Sequence, residues 1–247
     1  MIYIGGNRVH IDEIDSTNLE LKRKAVHQFI PNGTLLTASF QTAGKGQMGA
    51  IWESQKGKNL LATYYLEMDL ELVDAFSLNM IMSLAVKETI ESFVNDVVEI
   101  KWPNDIIIKG KKIAGILIET KLVNGIIKAA YLGVGLNVNQ TIFNTFKRLA
   151  TSIKKETGLS LDIEILIQKL NLHLQQFYSL FKTKGYSALN FLYHQDLYLK
   201  GEEKRYLINT EEKWLILQAI SKSGKAQFYN SEGKVEEYDL KEIEFVQ

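Results

Sequence analysis

No cysteine occurs anywhere in this chain, which removes disulfides, thiolate metal sites and a cysteine nucleophile at once. Histidine is scarce: His10, His27, His173 and His194 are scattered without ligand spacing, which argues against a histidine metal site. Neither sign of charge is in excess, since 29 basic residues balance 29 acidic ones. Nothing global therefore attracts nucleic acid or a membrane surface. No apolar run approaches the roughly twenty residues of a membrane span. Met1 to Arg8 also lacks the apolar core and small-residue cleavage site of a signal peptide, so a cytoplasmic protein is expected. No Gly-x-x-x-x-Gly-Lys-Ser/Thr run exists, and a P-loop is excluded as a motif. The 247 residues suit one full-sized domain and a small one.

What the chain does have is concentrated in Gln41-Thr42-Ala43-Gly44-Lys45-Gly46-Gln47-Met48-Gly49-Ala50-Ile51-Trp52. The apolar run Thr34 to Phe40 reads as a strand that delivers this cationic, glycine-rich loop. Glycine lets backbone N–H groups approach an anion or a small rigid molecule closely. The spacing Gly44-x-Gly46-x-x-Gly49 matches a dinucleotide fingerprint formally. That fingerprint needs a helix to begin inside it, whereas Glu53 to Asn59 reads as a turn and Leu60 to Leu66 as another strand. A plain surface loop is the other reading.

The rest of the chain alternates strands with helices. Thr17 and Glu20 form a capping-box pattern ahead of a helix that stops before Pro31, so Ser16 and Thr17 have a purely structural role open to them. Ala75, Leu78, Met82, Val86, Ile90 and Phe93 recur at helical spacing. Val97 to Trp102 reads as a strand ended by Pro103. Ile106 to Ile108 and Ile113 to Ile118 flank a hairpin turn, and Asn124-Gly125 joins the latter strand to Ile126 through Val138. These antiparallel neighbours predict an α+β fold with a mixed, largely antiparallel sheet. Gly115, Gly133 and Gly135 inside strands imply that something approaches the backbone there. Gln140 to Lys155 reads as a long mobile loop, and Ile163 to Phe181 as the clearest helix, with Ser160 as its N-cap. A short helix around Leu189 follows. From about Gln195, five short strands suggest a small barrel or sandwich, which divides the chain into 1–194 and 195–247.

Four segments occur together in order: Asp15-Ser16-Thr17-Asn18, the glycine loop, Lys101-Trp102-Pro103-Asn104-Asp105, and Lys112-Ile113-Ala114-Gly115-Ile116-Leu117-Ile118-Glu119. Gly133-Val134-Gly135-Leu136-Asn137-Val138-Asn139 follows. As a set they resemble the biotin–protein ligases over nearly the whole chain. The resemblance implies a class II synthetase-like catalytic domain with a C-terminal SH3-like barrel. It also implies a two-step reaction in which biotin and Mg-ATP give biotinyl-5′-adenylate, and a lysine of a biotin carboxyl carrier protein or domain then takes the biotinyl group.

The same resemblance implies site residues. Ser16, Thr17, Asn18 and Gln41 match positions that hold the ureido ring, and the backbone of Gly44 to Gln47 and of Gly115 matches positions lining biotin and the acyl phosphate. Lys112, with Lys45, would meet the biotin carboxylate and the α-phosphate, although a solvated hairpin lysine is the plain alternative for Lys112. Two anions must meet in this reaction, so fixed cations are required. Asp105 is the carboxylate for Mg²⁺ or for the incoming lysine, and Asn104, Asn137, Gln47 and Trp52 match nucleotide positions. For Asn104 and Asp105 a simple turn is the alternative, and for Trp52 and Trp102 core packing. The family's loop most often carries Gly-Arg-Gly-Arg, against Gly44-Lys45-Gly46-Gln47 here, so Lys45 and Lys112 are expected to carry the phosphate load. Loop and Gln140–Lys155 segment are expected to order on adenylate formation. A lipoate ligase or octanoyltransferase of the same fold, or a non-catalytic biotin-binding relative, is the competing reading. Sequence-specific DNA binding is not expected, and the oligomer is a monomer or homodimer.

Overall fold

The computed structural model describes residues 2–144 and 149–245. Its larger sheet is assembled from β1 (Arg8–Ile14), β2 (Leu35–Gln41), β3 (Leu60–Glu71), β4 (Val98–Lys101), β5 (Asp105–Ile108), β6 (Lys111–Val123) and β7 (Ile126–Leu136). The order across the sheet is β1-β2-β3-β7-β6-β5-β4. Only β1 and β2 are parallel among the pairs of this sheet. Their connection is α1 (Thr17–His27), since parallel neighbours need a crossover whereas the Asn124-Gly125 turn joins β6 and β7 directly.

Strand alternation sorts the two faces. On one side Leu60, Ala62, Tyr64 and Leu66 of β3 and Ala130, Leu132, Val134 and Leu136 of β7 enter the main core. That core is closed by α2 (Phe76–Glu91), α4 (Ile163–Lys184) and α5 (Tyr186–Gln195). On the other side a smaller cluster joins Leu21 of α1 to Leu36, Tyr65, Ala129 and Tyr131. This second layer covers only part of the sheet. The face left beside α1 carries Gly115, Gly133 and Gly135, whose neighbours in the strands point to the main core.

The C-terminal sheet has the order β11-β10-β9-β8-β12, with β8 (Glu203–Ile208), β9 (Glu211–Ile220), β10 (Ala226–Tyr229), β11 (Val235–Tyr238) and β12 (Ile243–Phe245). All its pairs are antiparallel, and Tyr206, Phe228, Tyr238 and Phe245 meet edge-to-face inside it. Such a small curved sheet is consistent with a barrel-like unit. It is not isolated: Trp102, 3% exposed, donates its Nε1–H to the Gly224 carbonyl at 2.9 Å, and the Trp102–Pro103 bond is cis. His194 of α5 accepts the Ile220 N–H on Nε2 at 2.7 Å.

Three local expectations are corrected. The Thr17–Glu20 capping box is not formed: Ser16 takes the N-cap position without a side-chain bond, and Glu20 pairs with Arg23 instead. The N-cap of α4 is Asp162, whose carboxylate accepts from the Glu164 N–H at 2.9 Å, not Ser160. The Gln140–Lys155 stretch contains the start of a helix, α3 (Ile153–Thr157), capped by Ser152. Thr145 to Arg148 of that stretch lie outside the described residues.

Candidate active site

The end of β2 and the start of α1 form one polar knot. Gln41 Oε1 accepts both the Thr17 N–H at 2.8 Å and, at 2.9 Å, a contact from the Thr17 hydroxyl. A side chain from another strand thus satisfies a helix-end donor that the absent capping box leaves open. Asn18 Nδ2 donates to the Leu117 carbonyl at 3.2 Å and to Glu119 at 2.9 Å. Ser16, Thr17 and Asn18 are all buried. Preceding them, Asp15 accepts the Ser16 N–H, and its hydrogen bond from Arg23 draws the carboxyl down to about 2. Gly133 explains why Asn18 reaches the sheet, because a Cβ there would lie 2.3 Å from Asn18 Oδ1.

The cationic centre depends on an irregularity in β6. Asp105 pairs with Gly115 and Ile106 with Ala114, but Ile107 pairs with Lys112, so Ile113 is an extra residue. The bulge resets the alternation and turns Lys112 to the face of Asp105 and Gly115. Lys112 Nζ lies 2.6 Å from Asp105 Oδ1, with the carboxylate side chain 6% exposed and the lysine 24%. The ammonium also stands 5.4 Å from the Trp52 ring centroid. Trp52 lies flat against the sheet: a Cβ on Gly135 would fall 2.3 Å from its Cε2, and one on Gly115 3.0 Å from its Cζ3. The strand glycines are therefore a platform for an indole.

The glycine loop folds back on itself through the Lys45–Ile51 bridge, Gly46 N–H to the Ala50 carbonyl at 2.7 Å, and Trp52 N–H to the Gly44 carbonyl at 3.0 Å. Met48 holds a left-handed conformation at φ 52° and is exposed, a strained choice for a side chain with Cβ. A cleft of about 730 Å³ opens against this loop, lined by Thr42 to Ile51, Leu117 to Glu119, and Leu240 from the C-terminal sheet's connection. Lys45 and Glu119 share it. Burial pushes the Glu119 carboxyl up, but hydrogen bonds from Lys22 and Asn18 and the charges of Lys22 and Lys45 outweigh this and hold it below the usual range. Among the described residues, Gln47 Oε1 and Trp52 Nε1 are buried without a hydrogen-bond partner. Buried polar atoms are seldom left so, and both sit where a ligand with donors and acceptors would bind.

The structure thus brings Ser16, Thr17, Asn18, Gln41, Lys112, Asp105, Gly115 and Trp52 to one face, with Gly44, Lys45, Gly46 and Gln47 on the loop above it. Asn104 and Asn137 each donate one hydrogen bond from Nδ2, to the Ile116 carbonyl at 2.8 Å and the Thr151 carbonyl at 2.9 Å. Trp102 stays in the core. Sequence reasoning gave no role to Thr63, Lys22, Glu119 or Leu240. A single threonine in the largely apolar run Leu60 to Leu66 is the one sign that pointed to Thr63.

A mixed sheet backed by helices on one face, with a glycine loop and a lysine–aspartate pair on the other, defines the class. The model of the Biotin/lipoate A/B protein ligase family matches residues 11–137, about half of the chain, and the chain belongs to that family. Among known proteins it is 32% identical over 197 residues to the bifunctional ligase/repressor BirA of Bacillus subtilis, covering 77% of this chain and 59% of that one. It therefore spans less than two thirds of that relative's length. It is 26% identical over 216 residues to the biotin–[acetyl-CoA-carboxylase] ligase of Paracoccus denitrificans, covering 85% of this chain and 89% of the other. A biotin protein ligase from Aquifex aeolicus, solved in complex with biotin and ATP, superposes with a TM-score of 0.80 at 26% identity over 98% of this chain and 99% of that chain.

Proposed function

We propose that this protein activates biotin with ATP to biotinyl-5′-adenylate and transfers the biotinyl group to a lysine of a biotin carboxyl carrier protein or domain. The observation that carries the reading is the Lys112–Asp105 pair, set by the bulge onto the glycine platform beside a buried polar knot. The solved ligase of similar fold, bound to biotin and ATP, supports the choice of substrates.

In the first step a biotin carboxylate oxygen attacks the α-phosphorus, a new P–O bond forms, and the bond to the leaving pyrophosphate breaks. Lys112 stands fixed by Asp105 to offset the negative charge that gathers as the two anions meet, a role that preorganised cations perform best. Lys45, on the loop, adds a second cation. In the second step the carrier lysine attacks the acyl carbon, the C–O bond to AMP breaks, and the amine gives up its proton. Closure of the loop would keep water from the mixed anhydride.

Magnesium enters with the triphosphate. Among the described residues no three acidic or histidine side chains gather to hold a metal, and Asp105 already meets an ammonium. The donor set does not fit an ion held by the protein alone, so no step is routed through one, and Asp105 is assigned to positioning Lys112. Residues 1–194 supply the catalytic unit and 195–247 the small barrel. We take the reaction to occur in the cytoplasm, carried out by a monomer or homodimer.

The test incubates purified protein with biotin, ATP, magnesium and a biotinyl carrier domain. A mass increase of one biotinyl group on the carrier is expected, and a parallel reaction with lipoate should leave it unchanged. Lipoylation without biotinylation would overturn the assignment.

A further inference from the structure

Bulging Ile113 out of the β5 ladder leaves it and Ala114 both in the main core, and backbone groups around it lose an even ladder to bind. β7 cannot supply them all, because its pairing with β6 stops at Leu136, opposite Ala114. A second segment takes over its lane. Ala150 forms a parallel bridge with Lys112: the Lys112 N–H donates to the Leu149 carbonyl and the Thr151 N–H to the Lys112 carbonyl, both at 2.9 Å. Asn137, itself buried, stands where the strand leaves and the segment enters. Its N–H donates to the Ile113 carbonyl at 2.9 Å, its Nδ2 to the Thr151 carbonyl at 2.9 Å, and its carbonyl accepts the Ile153 N–H at 3.2 Å. These bonds close a ring from the Lys112–Ile113 peptide through Asn137 and Thr151 back to Lys112. Buried backbone groups need such partners, and the Asn137 amide is the one link of this ring made by a side chain.

Resting on the biotin reading above, we infer that Asn137 is a positioning residue for Lys112: its amide ties residues 149–151 to the bulge and so sets the side of the sheet from which the ammonium acts. Asp105 restrains the tip of the lysine side chain. Asn137 restrains the backbone that carries it. The ring holds Lys112 by its own N–H and carbonyl, so the strand cannot slip by one residue, which would turn the side chain to the other face, without breaking those bonds. A nucleotide contact, which the family resemblance implies for Asn137, would engage ATP directly. Acting through Lys112 instead makes Asn137 matter to the biotin carboxylate before any nucleotide is present.

The experiment compares, by calorimetry without ATP, the binding of biotin and of biotinol, whose carboxylate is replaced by an alcohol, to wild type, Asn137→Ala, Lys112→Ala and the double variant. Wild type should prefer biotin. In Asn137→Ala, biotin should weaken about tenfold, the worth of a hydrogen bond to a charged group, while biotinol changes little. That loss should be absent in the Lys112→Ala background, because the two residues act as one unit. In biotin-dependent pyrophosphate exchange, kcat should fall with the KM for ATP nearly unchanged. Asn137→Ser, too short to reach the Thr151 carbonyl, should repeat the pattern and is read in place of Asn137→Ala if the latter does not fold. Equal weakening of both ligands, unchanged biotin binding, losses that add to those of Lys112→Ala, or a raised KM for ATP with biotin binding intact overturns the inference, as does a failure of both Asn137 variants to fold. Should wild type bind biotin no better than biotinol, the parent reading of Lys112 falls instead, which separates the two failures.

Discussion

Replacing Gly135 by alanine tests whether the glycine platform exists to seat Trp52. The new Cβ would lie 2.3 Å from Cε2 and 2.6 Å from Nε1, against 3.4 Å for an ordinary contact. The indole must therefore retreat by about 1 Å, since β7 is held between β3 and β6 and cannot yield. Overpacking of this kind costs about 1–3 kcal/mol. Because Trp52 follows a loop, the lower half of that range applies, or a Tm loss of roughly 3–6 °C for a chain of this size. Function should suffer more. The indole also stands against Lys112 and Gly115, and a displacement of about 1 Å near reacting groups can cost a hundredfold. Pyrophosphate exchange dependent on biotin would read the adenylation step, and calorimetry the stability. Trimming the ring with Trp52→Phe in the Gly135→Ala background should recover Tm, with a coupling of about 1 kcal/mol. Gly135→Ala with unchanged Tm and exchange rate, or strictly additive single and double variants, would refute the reasoning.

Further outcomes follow from other parts of the site. Asp105→Asn removes the partner of Lys112 and should lower biotin-dependent pyrophosphate exchange roughly 10- to 100-fold with the protein still folded; an unchanged rate would remove Asp105 from the mechanism. Lys45→Ala should slow adenylate formation about tenfold in single turnover, and no change would leave Lys112 alone with the phosphate. Hydrogen exchange at Gly44 to Ile51 should slow when biotin and ATP are added together, and equal exchange with and without them would argue against loop closure. Burial lowers the His194 pKa below its ordinary 6.5, while Nε2 accepts the Ile220 N–H. The neutral ring therefore contributes fully above pH 6.5 and its contribution is lost as pH falls through the lowered value. Between pH 7 and pH 5 wild type should lose more Tm than His194→Gln, and parallel curves would show that this ring is not the sensor.

Much of this architecture was written in periodicity. The stripe from Ile163 to Phe181 became the long helix α4, and Asn124-Gly125 became the β6–β7 turn, because both signals depend only on nearby residues. The strand glycines announced a close approach, and Trp52 and Asn18 are what approach. Other features rest on contacts distant in sequence. Gln41 closes the end of α1 from 24 residues away, which is why the local Thr17–Glu20 pattern misled. Nothing in Lys-Lys-Ile-Ala-Gly reveals which residue a neighbouring strand will skip, so the side from which Lys112 acts was legible only in the assembled sheet. Thr63 looked like one more strand residue until the side chains of Thr17 and Asn18, from α1, converged on it.

That skipped residue has a consequence for how the chemistry could be lost. Were Ile113 drawn into the ladder opposite Ile107, no functional group would be taken away, yet the ladder would regain its even beat and Lys112, moved opposite Ile108, would swing through to the greasy interior, stranding Asp105. A substitution at Ile113 that favoured the regular ladder could thus silence the site while every side chain credited with catalysis remained in the gene, so inspecting those residues alone would miss the defect.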